Sequence, residues 1–596
     1  MEELRNYTQE RLRSEHSLFF AVVRQAEELD DLRFRLSGLA LHLEADATQE
    51  IGRKSANLVA RIQDCSRALR NILKERSDRL AGFSLVRAIR DIGAGRRRGD
   101  LTPAFLAELH HIFLGIQGKG PIRALDDIHL SSVEHLHGRE AAIARSAQLD
   151  ELRLEVDRRI AGFAPGFTVE AVAERARNRE RILAHFGGSP ADWQDWRWQI
   201  KHIVRSRRKL GELIELTEEQ EEALKLARKN RLPFGITPYY LSLMDREPGR
   251  RDAAIRAQVL PTLDYVEKVI ATSDSSSLDF MGEEDTSPFE LITRRYPAIL
   301  ILKPFNTCPQ ICIYCQRNWE IDDVMAVSAY AGRDKVNAAI DWIRDHPAIH
   351  EVLVTGGDPL GMSDATLDHV LSRLAAIDSV ERIRIGTRTP VTMPMRITDR
   401  LVAMLGRYRR PGRREIAVTT HVQHPYEVTP ELTAAVDRIR RQGIGVYNQL
   451  VYTFFVSRRF EASALRRCLR LAGIDPYYTF NTKGKDETNA FRVPIARLLQ
   501  EQMEEARLLP GLERTDEAVF NVPRQGKNYL KSKGHRDLLS ILPDGSRVYE
   551  FHPWERGISR STGTYVYHDV PILDYLARLE LIGEDVADYD TIWFYY

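Results

Sequence analysis

The chain has 596 residues, of which 43% are hydrophobic and 29% charged, and its formal net charge is +1. A chain of this length exceeds what one hydrophobic core serves, so we expect about two or three domains of an ordinary globular protein. The balanced charge predicts neither a nucleic-acid nor a membrane partner. No apolar run reaches the roughly 20 residues of a membrane span, and no secretory leader pattern is seen, so we expect a cytoplasmic protein. Five cysteines, an odd number, do not indicate a disulfide framework.

The first 190 residues carry the pattern of amphipathic helices. Apolar residues recur every three or four positions in LFFAVVRQAEELDDLRFRLSGLALHLE and in PAFLAELHHIFLGI. Turn-forming residues separate the helical stretches at 93–100, 117–121 and 163–167. The many arginines of this region form either solvated helix faces or a surface that docks a partner, and the sequence leaves both interpretations open.

The second half alternates short β-branched runs with helical stretches. The predicted strands are 298–303, 351–356, 382–387, 415–421, 445–454 and 476–480. The predicted helices between them include 333–346, 363–377, 429–442 and 463–473. Strands that alternate with helices predict an α/β fold with a parallel sheet, here a closed or partial (β/α)6 barrel. The catalytic residues of such folds lie on loops at the C-terminal ends of the strands.

Three of the five cysteines lie together directly after the first predicted strand, as Cys308, Cys312 and Cys315. Thiolates are ligands for zinc or for iron–sulfur clusters. A structural zinc ion takes four ligands, and His421 or His424 could supply the fourth. A four-iron cluster held by three cysteines instead leaves one iron open for a ligand from outside the protein. The pattern alone leaves open both a zinc-stabilised scaffold and a cluster enzyme.

The cysteine motif and several later stretches resemble one family. C-x3-C-x2-C after the first strand, followed by TGGDPL at 355–360, resembles the radical S-adenosylmethionine superfamily. The stretches WQDWRWQIKHIV, RIGTRTPV, THVQHPYEVTPEL and YNQLV resemble the lysine 2,3-aminomutase family, in the same order. The resemblance covers about residues 192–560, and the helical residues 1–190 lie outside it.

The resemblance implies a domain organisation, a reaction and a set of cofactors. A helical lead-in at 191–295 is expected to precede a barrel core at 296–510 and a C-terminal segment at 511–596. The implied enzyme is an isomerase that moves the α-amino group of an amino acid to the β-carbon. It would use a [4Fe–4S] cluster, S-adenosylmethionine and pyridoxal 5′-phosphate, take electrons from a donor such as flavodoxin or ferredoxin, and form a homo-oligomer. The family's C-terminal zinc-binding cysteines have no counterpart after Cys468, so we expect that zinc site to be absent.

The resemblance also assigns residues to S-adenosylmethionine. Gly356, Gly357 and Asp358 match the glycine motif that holds the amino group of the methionine moiety. Glycine suits this task because it lets the backbone approach a ligand closely. His421 and Gln449 match positions near the methionine and sulfonium end of the same ligand.

A second set of matches concerns pyridoxal 5′-phosphate. The family's cofactor lysine matches Lys527 in the stretch VFNVPRQGKNYLKSKGH, with Lys531 and Lys533 as competitors. Arg295 and Tyr296 match positions at the phosphate end of the cofactor. The departures from the family pattern are Ile299, where the family has an arginine, and Phe480, where it has a tyrosine.

The substrate is predicted from three residues. Arg317 matches the arginine that binds the substrate α-carboxylate, because a guanidinium can donate two parallel hydrogen bonds to a carboxylate. The lysine enzymes bind the distal ammonium with two aspartates, and the matching residues here are Lys483 and Asn521. These residues disfavour a lysine side chain and favour a carboxylate. They resemble glutamate 2,3-aminomutases and predict conversion of L-glutamate to β-glutamate. The alternative is another amino acid (lysine, arginine, glutamine or aspartate) or one carried by a protein or tRNA.

Overall fold

The computed structural model describes residues 6–49, 56–121, 135–272, 279–482, 486–552 and 563–596. The N-terminal region is helical, as predicted, and the predicted turns follow helix ends. Its helices are α1 (Gln9–Glu15), α2 (Ser17–Gln25), α3 (Leu29–Gln49), α4 (Ala56–Ile72), α5 (Glu75–Ala81), α6 (Leu85–Gly93), α7 (Pro103–Ile116), α8 (Gly138–Ala161) and α9 (Val169–Phe186). Several of them begin at a hydroxyl side chain that accepts a hydrogen bond from a first-turn amide, as Thr8, Ser84, Thr102 and Thr168 do.

A second helical stretch leads into the sheet. Its helices are α10 (Pro190–Gln194), α11 (Trp196–Lys201), α12 (Arg207–Gly211), α13 (Glu218–Lys229), α14 (Pro238–Leu241), α15 (Ala253–Ala257) and α16 (Leu263–Ala271). Tyr239 and Tyr240 of α14 are buried, and their hydroxyls hydrogen-bond with Thr429 at 2.7 Å and Glu427 at 2.6 Å. These bonds fix the lead-in against loops of the sheet. Across the described ranges, no helix combines the length and the apolar character needed to cross a bilayer.

A nine-stranded sheet forms the centre of the molecule, and its strand order follows the chain. The strands are β1 (Ile292–Thr293), β2 (Ile299–Phe305), β3 (Glu351–Gly356), β4 (Arg382–Gly386), β5 (Glu415–Thr420), β6 (Gly445–Tyr452), β7 (Asp475–Asn481), β8 (Glu517–Val522) and β9 (Gly526–Tyr529). Strands β2 to β8 are parallel, whereas β1 and β9 pair antiparallel with β2 and β8. The six predicted strands are confirmed as β2 to β7. Strand β8 extends the parallel set beyond the prediction.

Helices connect the parallel strands and cover one face of the sheet. They are α17 (Arg333–Arg344), α18 (Asp364–Ala375), α19 (Thr389–Thr392), α20 (Asp399–Gly406), α21 (Pro430–Arg441), α22 (Glu461–Leu471) and α23 (Ile495–Gln500), and they include the four predicted ones. On β2, Leu300 and Leu302 are buried in the core shared with Val336 of α17. Because side chains alternate along a strand, Ile301 and Lys303 point to the opposite, less buried face. Polar groups on that face are candidates for a site.

A second, antiparallel sheet lies near the C-terminal end of the chain. It consists of β10 (Arg536–Ile541), β11 (Arg547–Phe551) and β12 (Tyr565–His568), and α24 (Ile572–Leu581) follows it. The N-terminal helices pack on this sheet. Arg547 of β11 pairs with Glu108 of α7 at 2.9 Å, with side chains 2% and 1% exposed, and Arg76 of α5 pairs with Glu550 at 2.6 Å. The sequence analysis predicts neither this sheet nor its contact with the helical extension.

Candidate active site

The three clustered cysteines lie on the loop that follows β2. The N–H of Cys315 donates to the carbonyl of Cys312 at 3.1 Å, so the last two cysteines share a tight turn. Burial raises the pKa of the Cys308 thiol, and the neighbouring Asp358, Cys315 and Cys312 raise it further. Each cysteine therefore lies within the electrostatic reach of the others, and a bound cation would stabilise the three as thiolates.

The spacing of the sulfur atoms indicates which kind of metal fits. In a tetrahedral site with zinc–sulfur bonds of about 2.3 Å, the ligand sulfurs lie about 3.8 Å apart. Within the described residues, the sets of three ligand atoms that lie within 4.8 Å of one another are Glu15, His16 and His110, and Asp537, Glu550 and His552. The cysteines are not among them, and His424 lies 3.3 Å from Glu461 instead. The three cysteine sulfurs are therefore spaced more widely than in a closed zinc site, and as free thiols they are the donor type that iron–sulfur clusters take.

The glycine turn after β3 packs directly on the cysteine loop. Gly356 has a φ of +114°, a conformation that favours glycine. A Cβ on Gly357 would lie 2.0 Å from the carbonyl oxygen of Thr307, so no side chain fits there. The N–H groups of Gly357 and Asp358 donate to Phe305 at 2.8 Å and Thr307 at 2.9 Å. The N–H groups of Gly357 and Asp358 are therefore already paired. An amino group of a ligand is a hydrogen-bond donor, so it would be bound by carbonyl oxygens of the turn.

The side chain of Asp358 ties the glycine turn to the loop after β4. Its buried carboxylate accepts hydrogen bonds from the hydroxyls of Thr387 at 2.6 Å and Thr389 at 2.9 Å, and from the N–H of Arg388 at 2.9 Å. Burial raises the pKa of Asp358, and these hydrogen bonds oppose that rise. The Asp358 carboxylate thus holds the glycine turn to the loop after β4. A ligand would be contacted by the backbone of Asp358 and not by its side chain.

Arg388 is a functional candidate that the sequence analysis missed. It lies 8% exposed on the loop after β4, and its Nη1 donates to the Cys312 sulfur at 2.9 Å. Its Nη2 bonds to Glu427 at 2.7 Å, and its Nε bonds to the carbonyl of His421 at 3.2 Å. The stretch RIGTRTPV contains this arginine, but only the fold brings it to the cysteines.

His421 directly follows β5, and Gln449 lies within the neighbouring strand β6. Burial, with a contribution from Arg388, lowers the pKa of His421 to about 4, so its ring is neutral near pH 7. Its Nδ1 is buried and has no hydrogen-bond partner among the described residues. The carbonyl of Gln449 accepts a hydrogen bond from Gln423 at 3.1 Å. The neutral imidazole therefore offers an unused polar atom on the same edge of the sheet as the cysteine loop.

The candidate cofactor lysine lies on a hairpin formed by β8 and β9. Lys527 pairs across the hairpin with Asn521, so the two side chains share one face. The Lys527 Nζ lies 5.3 Å from the ring centre of Tyr296 and 4.8 Å from that of Tyr478. The fold thus brings together three residues that the sequence analysis singles out, namely Lys527, Asn521 and Tyr296.

The two competing lysines lie away from this group. Lys531 is exposed, and the Lys533 side chain is 63% exposed and pairs with Asp64 of α4. This geometry favours Lys527 over both competitors. Arg295, next to Tyr296, donates from Nη2 to the carbonyl of Met281 at 3.0 Å.

One atom of Arg295 fits the predicted contact with a phosphate. Its Nε is buried and has no hydrogen-bond partner in the part of the chain that the structure describes. A buried donor without a partner is costly, and an anion placed beside it would satisfy it. Arg295, Tyr296 and Lys527 together therefore fit a phosphorylated cofactor with an aldehyde function.

Arg317, the predicted carboxylate-binding residue, is anchored on Glu283. Its Nε lies 2.9 Å and 3.0 Å from the two Glu283 oxygens, and its Nη2 lies 2.7 Å from one of them. Lys303 Nζ lies 3.6 Å from Glu283 and 3.7 Å from Glu320. Burial raises the pKa of Glu283, but Arg317 and Lys303 outweigh it and the net pKa is lowered. The sequence analysis missed Glu283 and Lys303, and the predicted Lys483 lies outside the described residues.

The central sheet carries all three parts of the site on its loops and strand ends: the cysteine loop, the glycine turn and the β8–β9 hairpin with Lys527. This is the architecture of an α/β enzyme. No family model matches the chain. The chain is 42% identical over 547 residues to an uncharacterised KamA family protein of Methanocaldococcus jannaschii, covering 88% of this chain and 87% of the relative. It is 32% identical over 373 residues to a glutamate 2,3-aminomutase of Clostridioides difficile, covering 61% and 84%.

A third relative is an L-lysine 2,3-aminomutase of Clostridium subterminale, 39% identical over 223 residues, covering 37% of this chain and 50% of the relative. The extent of these matches shows that the chain belongs to the KamA family. The aminomutases of this family are isomerases that use a [4Fe–4S] cluster, S-adenosylmethionine and pyridoxal 5′-phosphate. Since the Methanocaldococcus match covers 88% of the chain, it includes part of the helical extension.

Proposed function

We propose that this chain is a radical S-adenosylmethionine enzyme of the 2,3-aminomutase type that converts L-glutamate to β-glutamate. The observation that carries the proposal is the common position of the cysteine loop, the glycine turn and the Lys527 hairpin on one side of the molecule. Parallel α/β sheets carry their chemistry at the C-terminal strand ends. We further propose that the less buried face of the sheet, which includes Lys303, lines the inside of a partial barrel.

The cysteine loop supports the iron–sulfur part of the proposal. Cys308, Cys312 and Cys315 would hold three irons of a [4Fe–4S] cluster and leave the fourth for S-adenosylmethionine, whose amino group would meet the carbonyls of the glycine turn. Together these groups, when bound, supply a carbon-centred radical that removes a hydrogen atom from the substrate. The neutral ring of His421 adds a polar atom without adding charge. A one-electron donor such as flavodoxin or ferredoxin would reduce the cluster.

The hairpin supports the pyridoxal part of the proposal. Lys527 would form the covalent link to the cofactor, and the unsatisfied Nε of Arg295 would donate to its phosphate. When bound, the cofactor supplies a conjugated ring that stabilises an adjacent unpaired electron. The Lys527 amine lies 5.3 Å from the ring centre of Tyr296 and 4.8 Å from that of Tyr478, so both rings would lie close to the bound cofactor. Asn521, which pairs with Lys527 across the hairpin, would donate a hydrogen bond to, or accept one from, a polar group of the substrate.

Two observations support an acidic substrate. Arg317 would bind the α-carboxylate through the part of its guanidinium that Glu283 does not occupy, and Lys303 lies beside the same carboxylate of Glu283. A second carboxylate would then meet the amide of Asn521, which carries no negative charge. In addition, one relative, of which this chain covers 84%, is a glutamate 2,3-aminomutase.

The test is a substrate screen with the anaerobically reconstituted full-length chain. The protein is incubated with S-adenosylmethionine, dithionite and, one at a time, L-glutamate, L-lysine, L-arginine, L-glutamine and L-aspartate, and β-amino products are identified by NMR. We expect β-glutamate from glutamate and no product from a Cys308→Ala control. Turnover of lysine without glutamate would contradict the substrate. Absence of 5′-deoxyadenosine with every amino acid would contradict the reaction class.

A further inference from the structure

The sulfur of Cys312 receives a hydrogen bond from a buried guanidinium that neither the reaction nor the cofactor assignments use. Arg388 Nη1 lies 2.9 Å from the Cys312 Sγ and donates a close hydrogen bond to it. The sulfur of Cys315 accepts a hydrogen bond from the backbone N–H of Arg317 at 3.4 Å. The cysteine loop thus receives a hydrogen bond from a cationic donor at the Cys312 sulfur.

Arg388 is held so that it cannot readily turn away from the sulfur. Its Nη2 bonds to the Glu427 carboxylate at 2.7 Å and to the Tyr240 hydroxyl at 3.2 Å. Its Nε bonds to the His421 carbonyl at 3.2 Å. Movement of the guanidinium would leave the Glu427 carboxylate, which is also buried, without its cation, and that is costly. Nη1 is therefore directed at Cys312 by contacts on every other side of the guanidinium.

We propose that Arg388 sets the reduction equilibrium of the cluster bound by Cys308, Cys312 and Cys315, by stabilising the added electron through its N–H···S bond to Cys312. The inference rests on the proposed function only in that these cysteines hold a [4Fe–4S] cluster. In the step concerned, an external one-electron donor is oxidised and the cluster gains one negative charge, with no bond broken. A fixed N–H donor and a positive charge at a ligand sulfur favour that more negative state. Arg388 is thus a positioning and tuning residue.

The experiment is an EPR-monitored redox titration of the reconstituted full-length chain. Arg388→Gln removes the charge, and we expect the equilibrium constant for reduction to fall about tenfold, which is about 59 mV for a one-electron couple. Arg388→Lys keeps the positive charge but loses the planar guanidinium with its several N–H donors. We therefore expect a smaller fall in the equilibrium constant for reduction. The matched control is Arg384→Gln, because Arg384 lies on β4 as well but pairs with Glu351 at the other end of the strands. Its midpoint is expected to equal that of the wild type.

A second variant, for which the reduction constant is expected to change in the opposite direction, tests the inference even if the Arg388 variants bind less iron. Glu427→Gln removes the negative partner and leaves Arg388 facing Cys312, so the reduction constant is expected to rise about threefold or more. Iron and sulfide contents are measured for each protein before titration. Equal midpoints in wild type, Arg388→Gln and Glu427→Gln would overturn the inference and leave the substrate proposal intact. Absence of any four-iron signal in the wild type would overturn both.

Discussion

Replacing Glu283 by glutamine tests the carboxylate site around Arg317 most directly. Glu283 accepts hydrogen bonds from Arg317 Nε and Nη2 and from Gln316 Nε2 at 3.2 Å, and Lys303 Nζ lies 3.6 Å away. The side chains of Glu283 and Arg317 are 7% and 14% exposed. A carboxylate held by this many donors is an anchor that aligns the guanidinium and leaves Nη1 for a substrate. We therefore expect Glu283→Gln to weaken substrate binding.

The size of the effect follows from the contacts that are lost. Glutamine offers one acceptor oxygen and no charge, so Arg317 loses at least one charge-assisted hydrogen bond, worth about 1.5–3 kcal/mol. The guanidinium recovers part of that loss by turning toward the remaining acceptors. We expect about 1.4 kcal/mol to appear in binding, which is a tenfold rise in KM for glutamate. Because the interaction is formed equally in the bound substrate and in the transition state, kcat should change little.

The assay is steady-state formation of β-glutamate by anaerobically reconstituted enzyme over a range of glutamate concentrations. The matched control is Glu320→Gln. Glu320 forms its ion pair with Lys303 at 3.7 Å and acts on Arg317 only at longer range, so KM is expected to change by less than about threefold. A KM below that of the wild type in Glu283→Gln would refute the reasoning. It would mean that Glu283 occupies the place of the substrate carboxylate and competes with it.

Three further predictions concern the hairpin and the helical extension. Borohydride reduction of the pyridoxal-loaded protein should label Lys527, and the label should disappear in Lys527→Ala and persist in Lys533→Ala, as peptide mass spectrometry will show. Asn521→Asp adds a negative charge opposite Lys527, so glutamate should bind about tenfold more weakly in the same kinetic assay, and an unchanged KM would remove Asn521 from the site. Glu108→Gln leaves buried Arg547 without its counter-charge and should destabilise the protein by about 3–5 kcal/mol, measured as a lower midpoint of thermal unfolding. An unshifted midpoint would show that this pair does not join the extension to the C-terminal sheet.

The central sheet was predictable because its signals are local. Strands β2 to β7 are short runs rich in β-branched or aromatic residues, and the amphipathic helices between them indicate crossover connections. The β8–β9 hairpin lacks such a signal. Its turn contains Arg524 at a φ of +59°, a conformation that sequence patterns assign to glycine or asparagine, and β9 is only four residues long. Lys527 could therefore be matched by resemblance, but its position opposite Asn521 could not be predicted.

The missed residues of the site share a different property, which is that their role depends on distant partners. Glu283 precedes Arg317 by 34 positions, and Arg388 follows Cys312 by 76, so no local pattern links either pair. Lys303 occurs in an apolar strand, where the alternation of side chains places it on the less buried face. Ion pairs and hydrogen bonds to sulfur are set by tertiary packing, and a single sequence carries no signal for them.

The helical extension has a structural role that its sequence did not suggest. Helix α4 packs on β10, and Arg76 of α5 binds Glu550 on the neighbouring β11. The segment just before β10 is in turn hydrogen-bonded to the β8–β9 hairpin, because the side chain of Asn528 on β9 donates to the carbonyl of His535 at 2.6 Å. A continuous series of contacts therefore leads from the N-terminal helices through the C-terminal sheet to the strand that carries Lys527. The extension is thus connected by packing and hydrogen bonds to the strand that carries Lys527, and the match to the Methanocaldococcus relative includes part of it.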